Sequence, residues 1–169
     1  MPSQPLFFLL SLGDKVLPLS SRVPFFVQQK TLERSLNKVL AEPIADGLFD
    51  ALENRWLCIH IRNLNLKWCV SKHANKNKLI VARHAPVEVS ISGDWREFLL
   101  LASRQEDPDT LFFRRRLQID GDTELGLEVK NLIDSLDSDT LPRWLWHSIE
   151  RLGQAAAEQN LEHSQPYSA

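Results

Sequence analysis

The chain has 169 residues, 43% of them hydrophobic and 25% charged, with 20 Lys plus Arg against 22 Asp plus Glu. The formal net charge of -2 argues against a dedicated nucleic-acid binder, which would be basic. A chain near this size buries roughly 70% of its unfolded surface, enough for one domain with end extensions and no disulfide staples.

Residues 1–23 read as an apolar N-terminal extension, 24–136 as the domain body and 137–169 as a C-terminal amphipathic helix with a tail. The opening segment carries Leu6, Phe7, Phe8, Leu9 and Leu10, broken by Pro2, Pro5 and Pro18. It lacks the positive start and the cleavage site of a secretory signal. Its apolar run is far shorter than the roughly 20 residues a membrane span needs. These features predict a cytoplasmic protein with reduced Cys58 and Cys69, peripheral on the inner membrane if the apolar ends meet lipid.

Pro24 suits the first turn of a helix, followed by an apolar stripe through Leu32, Leu36, Val39 and Leu40. Gln29, Glu33 and Asn37 then fall on the side expected to face water. Pro43 is expected to end this helix at Glu42, with a short helix through Leu48, Phe49 and Leu52 after it. Leu57, Ile59 and Ile61 alternate as a strand, and the phase shifts at Asn63, so a turn or bulge is expected there. Leu66, Trp68 and Val70 continue as the second strand. Residues 72–78 form a polar loop, residues 79–81 a third strand, and Val87, Val89 and Ile91 a fourth. Asp94 with Glu97 fits a capping box for a helix through Phe98 and Leu101.

The most informative stretch is residues 111–134. Leu117-Gln118-Ile119 alternates like a strand, and Asp120-Gly121-Asp122 is turn chemistry. Leu125, Val129, Leu132 and Ile133 recur at helical spacing, with Asp122 placed to cap. Gly126 lies near this stripe, and close packing is the simpler explanation of it. The last helix starts near Leu141-Pro142, with Trp144, Ser148, Ile149, Leu152 and Ala156 on one side and Trp146 flanking. Together these elements predict an α+β fold, a mostly antiparallel sheet of about five strands with helices over one face.

No nucleophile motif, phosphate loop or calcium loop is present. Cys58 and His60 share a strand face, but their spacing is not a zinc pattern, so buried structural cysteines and no metal are expected. Arg114, Arg115 and Arg116 are the strongest charge feature. On a strand, Arg115 would share the side of Phe113, Leu117 and Ile119, at the rim of an apolar interior. There a guanidinium could hold an anionic headgroup, or it could be a solvated edge. Trp144 and Trp146 fit either core packing or a membrane interface.

Three runs carry a family resemblance: Asp107-Pro108-Asp109-Thr110-Leu111-Phe112-Phe113, Arg115-Arg116-Leu117, and Gly121-Asp122-Thr123-Glu124-Leu125-Gly126-Leu127. Val129-Lys130-Asn131-Leu132 extends them, and Arg55-Trp56-Leu57 with Ile59-His60-Ile61-Arg62 adds a second patch. The stretch over about residues 24–136 resembles the sterol carrier protein type 2 lipid-binding domain family. That resemblance implies a sheet and helices enclosing an apolar lipid tunnel, with no catalysis and no cofactor. Within the family the likeness is to bacterial ubiquinone-biosynthesis accessory factors. It therefore implies a polyprenylated quinone precursor as cargo, oxygen-independent ubiquinone synthesis, and U32 peptidase-like iron–sulfur hydroxylases as partners.

The expected lipid-binding residues are Leu117, Ile119, Leu125, Val129, Leu132 and Ile133. Phe113, Phe98 and Leu101 join them. Arg115 is the expected headgroup ligand, and Phe7, Phe8, Trp144 and Trp146 are the expected membrane contacts. Two alternatives stay open: a carrier or sensor of an anionic phospholipid such as phosphatidic acid, and a scaffold for pathway enzymes with no bound lipid.

Overall fold

A computed structural model describes residues 23–136 and 143–163. Phe7, Phe8, Leu141 and Pro142 lie outside the described residues. Helix α1 (Phe25–Val39) leads into the short α2 (Ala41–Ala45) and a 3-10 turn at Asp50–Leu52. Strands β1 (Leu57–Ile61), β2 (Leu66–His73), β3 (Lys78–Ala82) and β4 (Val89–Gly93) follow. Then come α3 (Trp95–Ala102), α4 (Pro108–Phe113), β5 (Gln118–Gly121), α5 (Thr123–Ser135) and α6 (Arg143–His163).

The five strands form one sheet in the order β3-β2-β1-β4-β5. Only β1 and β4 run parallel; the other neighbours are antiparallel. Register puts Val81, Val70, Leu57 and Val89 in one row, and Trp68, Ile59, Ile91 and Ile119 in the next. This inner face carries α1 and α5. The phase shift at Asn63 is a 3-10 turn (Arg62–Leu64) closed by Asn65 at φ 51, a left-handed position that asparagine tolerates.

The β5–turn–α5 unit forms as its residues dictate. Gly121 sits at φ 116 with its α-carbon against Glu88 and Val89, where a side chain would overlap the Glu88 carbonyl. Asp122 caps α5, accepting from the Leu125 N–H at 2.7 Å. Arg55, two residues before β1, clasps that cap, 3.2 Å from Asp122 and 3.4 Å from Glu128. Close packing accounts for Gly126, since a β-carbon there would stand 3.2 Å from Ile119 and 3.6 Å from Val89.

Several elements depart from the periodicity. The first helix breaks at Leu40, and Pro43 sits inside the first turn of α2, where no N–H is required of it. The expected loop at 72–78 is partly strand: β2 runs to His73, and Lys72 is 6% exposed, paired with Asp50. Asp94 flanks α3 without a side-chain cap bond; its carboxylate lies 3.8 Å from Arg62 instead. Gln29, Glu33 and Asn37 do not face water. They line up at i, i+4 and i+8 on α1 and bond the free edge of β3. Gln29 donates to the Val81 carbonyl (2.6 Å) and Asn37 to the Leu79 carbonyl (2.8 Å). Glu33 and Asn37 accept from the Val81 and Leu79 N–H groups (2.8 Å each).

Helix α6 packs on α3, not on the sheet. Ala155 and Ala156 meet Leu100, with Trp95, Leu99 and Leu152 around them. Gly153 makes this approach possible, because a β-carbon there would overlap Ser103. Trp144, expected as a membrane contact, is 70% exposed, and Ser148, on the same side, is exposed. The docked face of α6 is the one with the smallest residues.

Two stability tests follow from this packing. Asn37→Leu should cost about 2 kcal/mol in urea unfolding, since the Leu79 N–H and carbonyl both lose their partner. It should also speed amide exchange at Leu79 while leaving β1 protected. Gly153→Ala should lower the melting temperature by several degrees, and Ser103→Gly should recover part of the loss. An unchanged melting temperature in Gly153→Ala would refute the close α3–α6 approach.

Candidate functional site

Beneath α1 and α5 lies an apolar cavity of about 380 Å³. From α1 it takes Leu36, and from the segment after it Leu40, Phe49 and Leu52. The sheet contributes Leu57, Ile59, Val70, Leu79 and Ile91. Phe98 and Leu101 come from α3, Val129, Leu132 and Ile133 from α5, and Trp146 from α6. Its size falls in the range of ligand pockets, about 300–1,000 Å³. The helix above it explains the space: α1 has an apolar stripe, yet none of its residues is buried. Its polar side chains hold it to the β3 edge, so its apolar side need not close onto the core.

Five expected lining residues reach this cavity: Phe98, Leu101, Val129, Leu132 and Ile133. Leu125 and Leu117 are fully buried and do not line it. Ile119 packs on the main core from β5, under Gly126. Phe113 points away and is 91% exposed; Phe112, the residue before it, packs inward. Trp146, expected to contact membrane or cover the cavity mouth, is half-buried and forms part of the cavity wall.

The arginine cluster needs correcting at its root, because residues 114–116 are not on a strand. Asp107 caps α4 by accepting from the Thr110 N–H at 3.1 Å, with Pro108 at the first helical position. The chain then turns with Arg115 at φ 56, so strand parity does not apply. The signal for this missed helix was present, since Asp-Pro-Asp is a cap, a first-turn proline and a first-turn acid.

The turn sends the three arginines to different surroundings. Arg116 turns inward between Glu106 (2.5 Å) and Glu97 (2.6 Å). Burial pushes the Glu97 carboxyl above its ordinary range, against the pull of Arg116. Arg116 itself is raised: burial opposes its charge, but the bonds and charges of Glu106 and Glu97 outweigh that. Arg114 and Arg115 are exposed and make no ion pair among the described residues. Arg115 lines a separate polar groove, not the apolar cavity; it shares the groove with Phe112, Ile119, the carboxylates of Asp109 and Asp120, and Lys130, which pairs with Asp109.

The cation at the cavity is Arg104, which the sequence reading passed over. Its guanidinium donates to the carbonyls of Ile133 (3.0 Å), Asp134 (2.8 Å) and Leu136, closing the C-terminal end of α5. Cys58 and Cys69 pair across β1 and β2 as buried free thiols. Burial and then the neighbouring Cys69 push the Cys58 thiol up to about 11, so it stays protonated near neutrality. Among the described residues, no cluster of His, Cys, Asp or Glu could hold a metal ion. Among them too, no helix is long and apolar enough to cross a membrane.

The sheet order and the cavity can be set beside known proteins. Residues 33–134 match the SCP-2 sterol transfer family. This chain belongs to that family. The ubiquinone biosynthesis accessory factor UbiT of Escherichia coli K12 is 41% identical over 138 residues, covering 81% of this chain and 78% of UbiT. UbiT of Escherichia coli O157:H7 gives the same figures. Among solved structures, a UbiJ-SCP2 ubiquinone synthesis protein superposes with a TM-score of 0.52 at 16% identity. That match covers 66% of this chain and 97% of the other, a likeness of fold alone.

The charge arrangement predicts a graded set of variants. Arg116→Ala should lose about 2–4 kcal/mol in urea unfolding, because two half-buried carboxylates lose their counter-charge. Arg114→Ala and Arg115→Ala should stay within about 0.5 kcal/mol of wild type. A carboxyl raised in the folded state stabilises below its unfolded pKa, about 4.3, and loses that contribution as pH climbs through the folded value. Glu97→Gln should therefore gain on wild type from acid to neutral pH. The opposite trend across a pH series would mean that Arg116 outweighs burial at Glu97.

Proposed function

We propose that this protein is a non-catalytic lipid-binding accessory factor in ubiquinone biosynthesis. The observation that carries the reading is the cavity: apart from Arg104, none of its lining side chains is charged. A space walled by leucine, isoleucine, valine and phenylalanine suits a hydrocarbon tail, at about 0.8 kcal/mol per buried methylene. Membership of the SCP-2 sterol transfer family supports a hydrophobic ligand, and the likeness to UbiT supports the pathway.

The finer assignment is a polyprenylated quinone precursor, held for oxygen-independent synthesis and passed to U32 peptidase-like iron–sulfur hydroxylases. Cargo of this kind resides in membrane. A cytoplasmic protein would therefore visit the inner membrane peripherally, and the exposed Trp144 and Phe113 are side chains suited to that contact.

A second reading rests on Arg115. Among the described residues its guanidinium makes no ion pair, and its groove, which also holds Asp109 and Asp120, shares Phe112 and Leu117 with a cluster that reaches the cavity residues Phe98, Leu101 and Ile133. An anionic phospholipid with its tail inside and its phosphate at Arg115 would use both spaces.

Lipid extraction and mass spectrometry of the purified protein separate these readings. A prenylated quinone precursor supports the first and an anionic phospholipid the second, while recovery of no lipid overturns both. Leu36→Trp, which fills the cavity from α1, should abolish lipid recovery with the fold retained. Arg115→Ala should weaken anionic-lipid binding by roughly tenfold and leave an uncharged prenyl probe unaffected.

A further inference from the structure

A second apolar space of about 550 Å³ lies beside the first. The two are stacked along the same three elements. On α1 the outer space takes Leu32 and Ser35, and the inner takes Leu36, followed by Leu40 just past the helix end. On β1 the outer takes Ile61 and the inner Ile59; on β2 the outer takes Trp68 and the inner Val70. Each step is one helical turn or one inward-facing strand position, so the spaces follow one another along a line under α1.

One side chain lines both. Phe98 of α3 faces the inner cavity and the outer one. Although it packs against two parts of the core, it remains only half-buried, as a ring with open space on two sides must. Its ring edge lies toward Gly93, where a β-carbon would stand 3.6 Å away.

We propose that Phe98 is the partition that sets how much of a lipid tail this protein holds. The inference rests on the lipid-binding reading and adds a length limit to it. At about 30 Å³ for a water-sized group, the inner cavity of about 380 Å³ accepts roughly a dozen such groups, close to a farnesyl chain. A longer tail meets the ring of Phe98. With the ring removed, the tail continues into the outer space between α1 and Trp68.

Titration with geraniol, farnesol and geranylgeraniol, followed by intrinsic tryptophan fluorescence, tests this. Wild-type affinity should rise from geraniol to farnesol and then level off. Phe98→Ala should keep rising and bind geranylgeraniol at least roughly tenfold tighter than wild type, since several more methylene-sized groups become buried. Thr31 lines only the outer space, so Thr31→Trp alone should change nothing, while in the Phe98→Ala background it should erase the gain.

If Phe98→Ala does not fold by near-ultraviolet circular dichroism, Phe98→Leu makes the same comparison with a smaller opening. An unchanged length dependence in the folded variant overturns the partition. So does weaker geranylgeraniol binding by Thr31→Trp alone, because the tail would then already pass Phe98 in the wild type. If the wild type takes up no prenyl alcohol of any length, the lipid-binding reading itself fails, and the partition with it.

Discussion

The fold depends on how α1 is attached. The exposed edge of a sheet is a row of unpaired N–H and carbonyl groups, which proteins must cover or blunt. Here Gln29, Glu33 and Asn37 cover it with side chains, bonding Val81 and Leu79 of β3. A helix held by its polar stripe does not need its apolar stripe pressed into the core. That frees the space between α1 and the sheet. The same bonds close the edge of the sheet and keep a cavity open, which a helix held by leucine packing alone would fill.

The cavity has a rigid floor and a second rigid wall. Its floor is made of inward-facing residues of four paired strands, Leu79, Val70, Leu57, Ile59 and Ile91, fixed by ladder pairing. Its other wall is α5, held at one end by the Asp122 cap and Arg55, and at the other by Arg104 on its last carbonyls. The α3–α6 pair closes the remaining side. There Gly153 allows the backbones to approach, and Trp146 reaches the cavity. Charge is spent at the ends of these walls and almost none faces the space they enclose.

The arginines show how strongly backbone conformation controls function. Three identical neighbours end in a half-buried ion cluster, a polar groove and open solvent because one residue adopts a left-handed conformation. Arg116 is committed to Glu97 and Glu106 and is unavailable to a ligand. Arg104, outside the cluster, is the cation nearest the apolar space, and its donors are occupied by α5 carbonyls. On the proposed lipid-binding reading, an apolar tail is therefore the part of a ligand that this cavity suits.

Local chemistry was legible in the sequence. The alternation of β1, β2 and β4, the Asp-Gly-Asp turn, the α5 cap and the apolar stripe of Val129, Leu132 and Ile133 all depend on neighbours within a few residues. The family likeness rests on the same stretch. What depends on distant partners was not legible. Periodicity assigns a residue to a face but not the face to a neighbour. Gln29, Glu33 and Asn37 thus looked solvated until β3 lay beside them. On α6 the expected side held Leu152 and Ala156, which do dock on α3, but it missed Gly153, whose close approach to Ser103 depends on the partner helix. The Arg114–Arg116 run could be read with either period, and only the α4 cap at Asp107 and the turn at Arg115 decided which arginine turns inward.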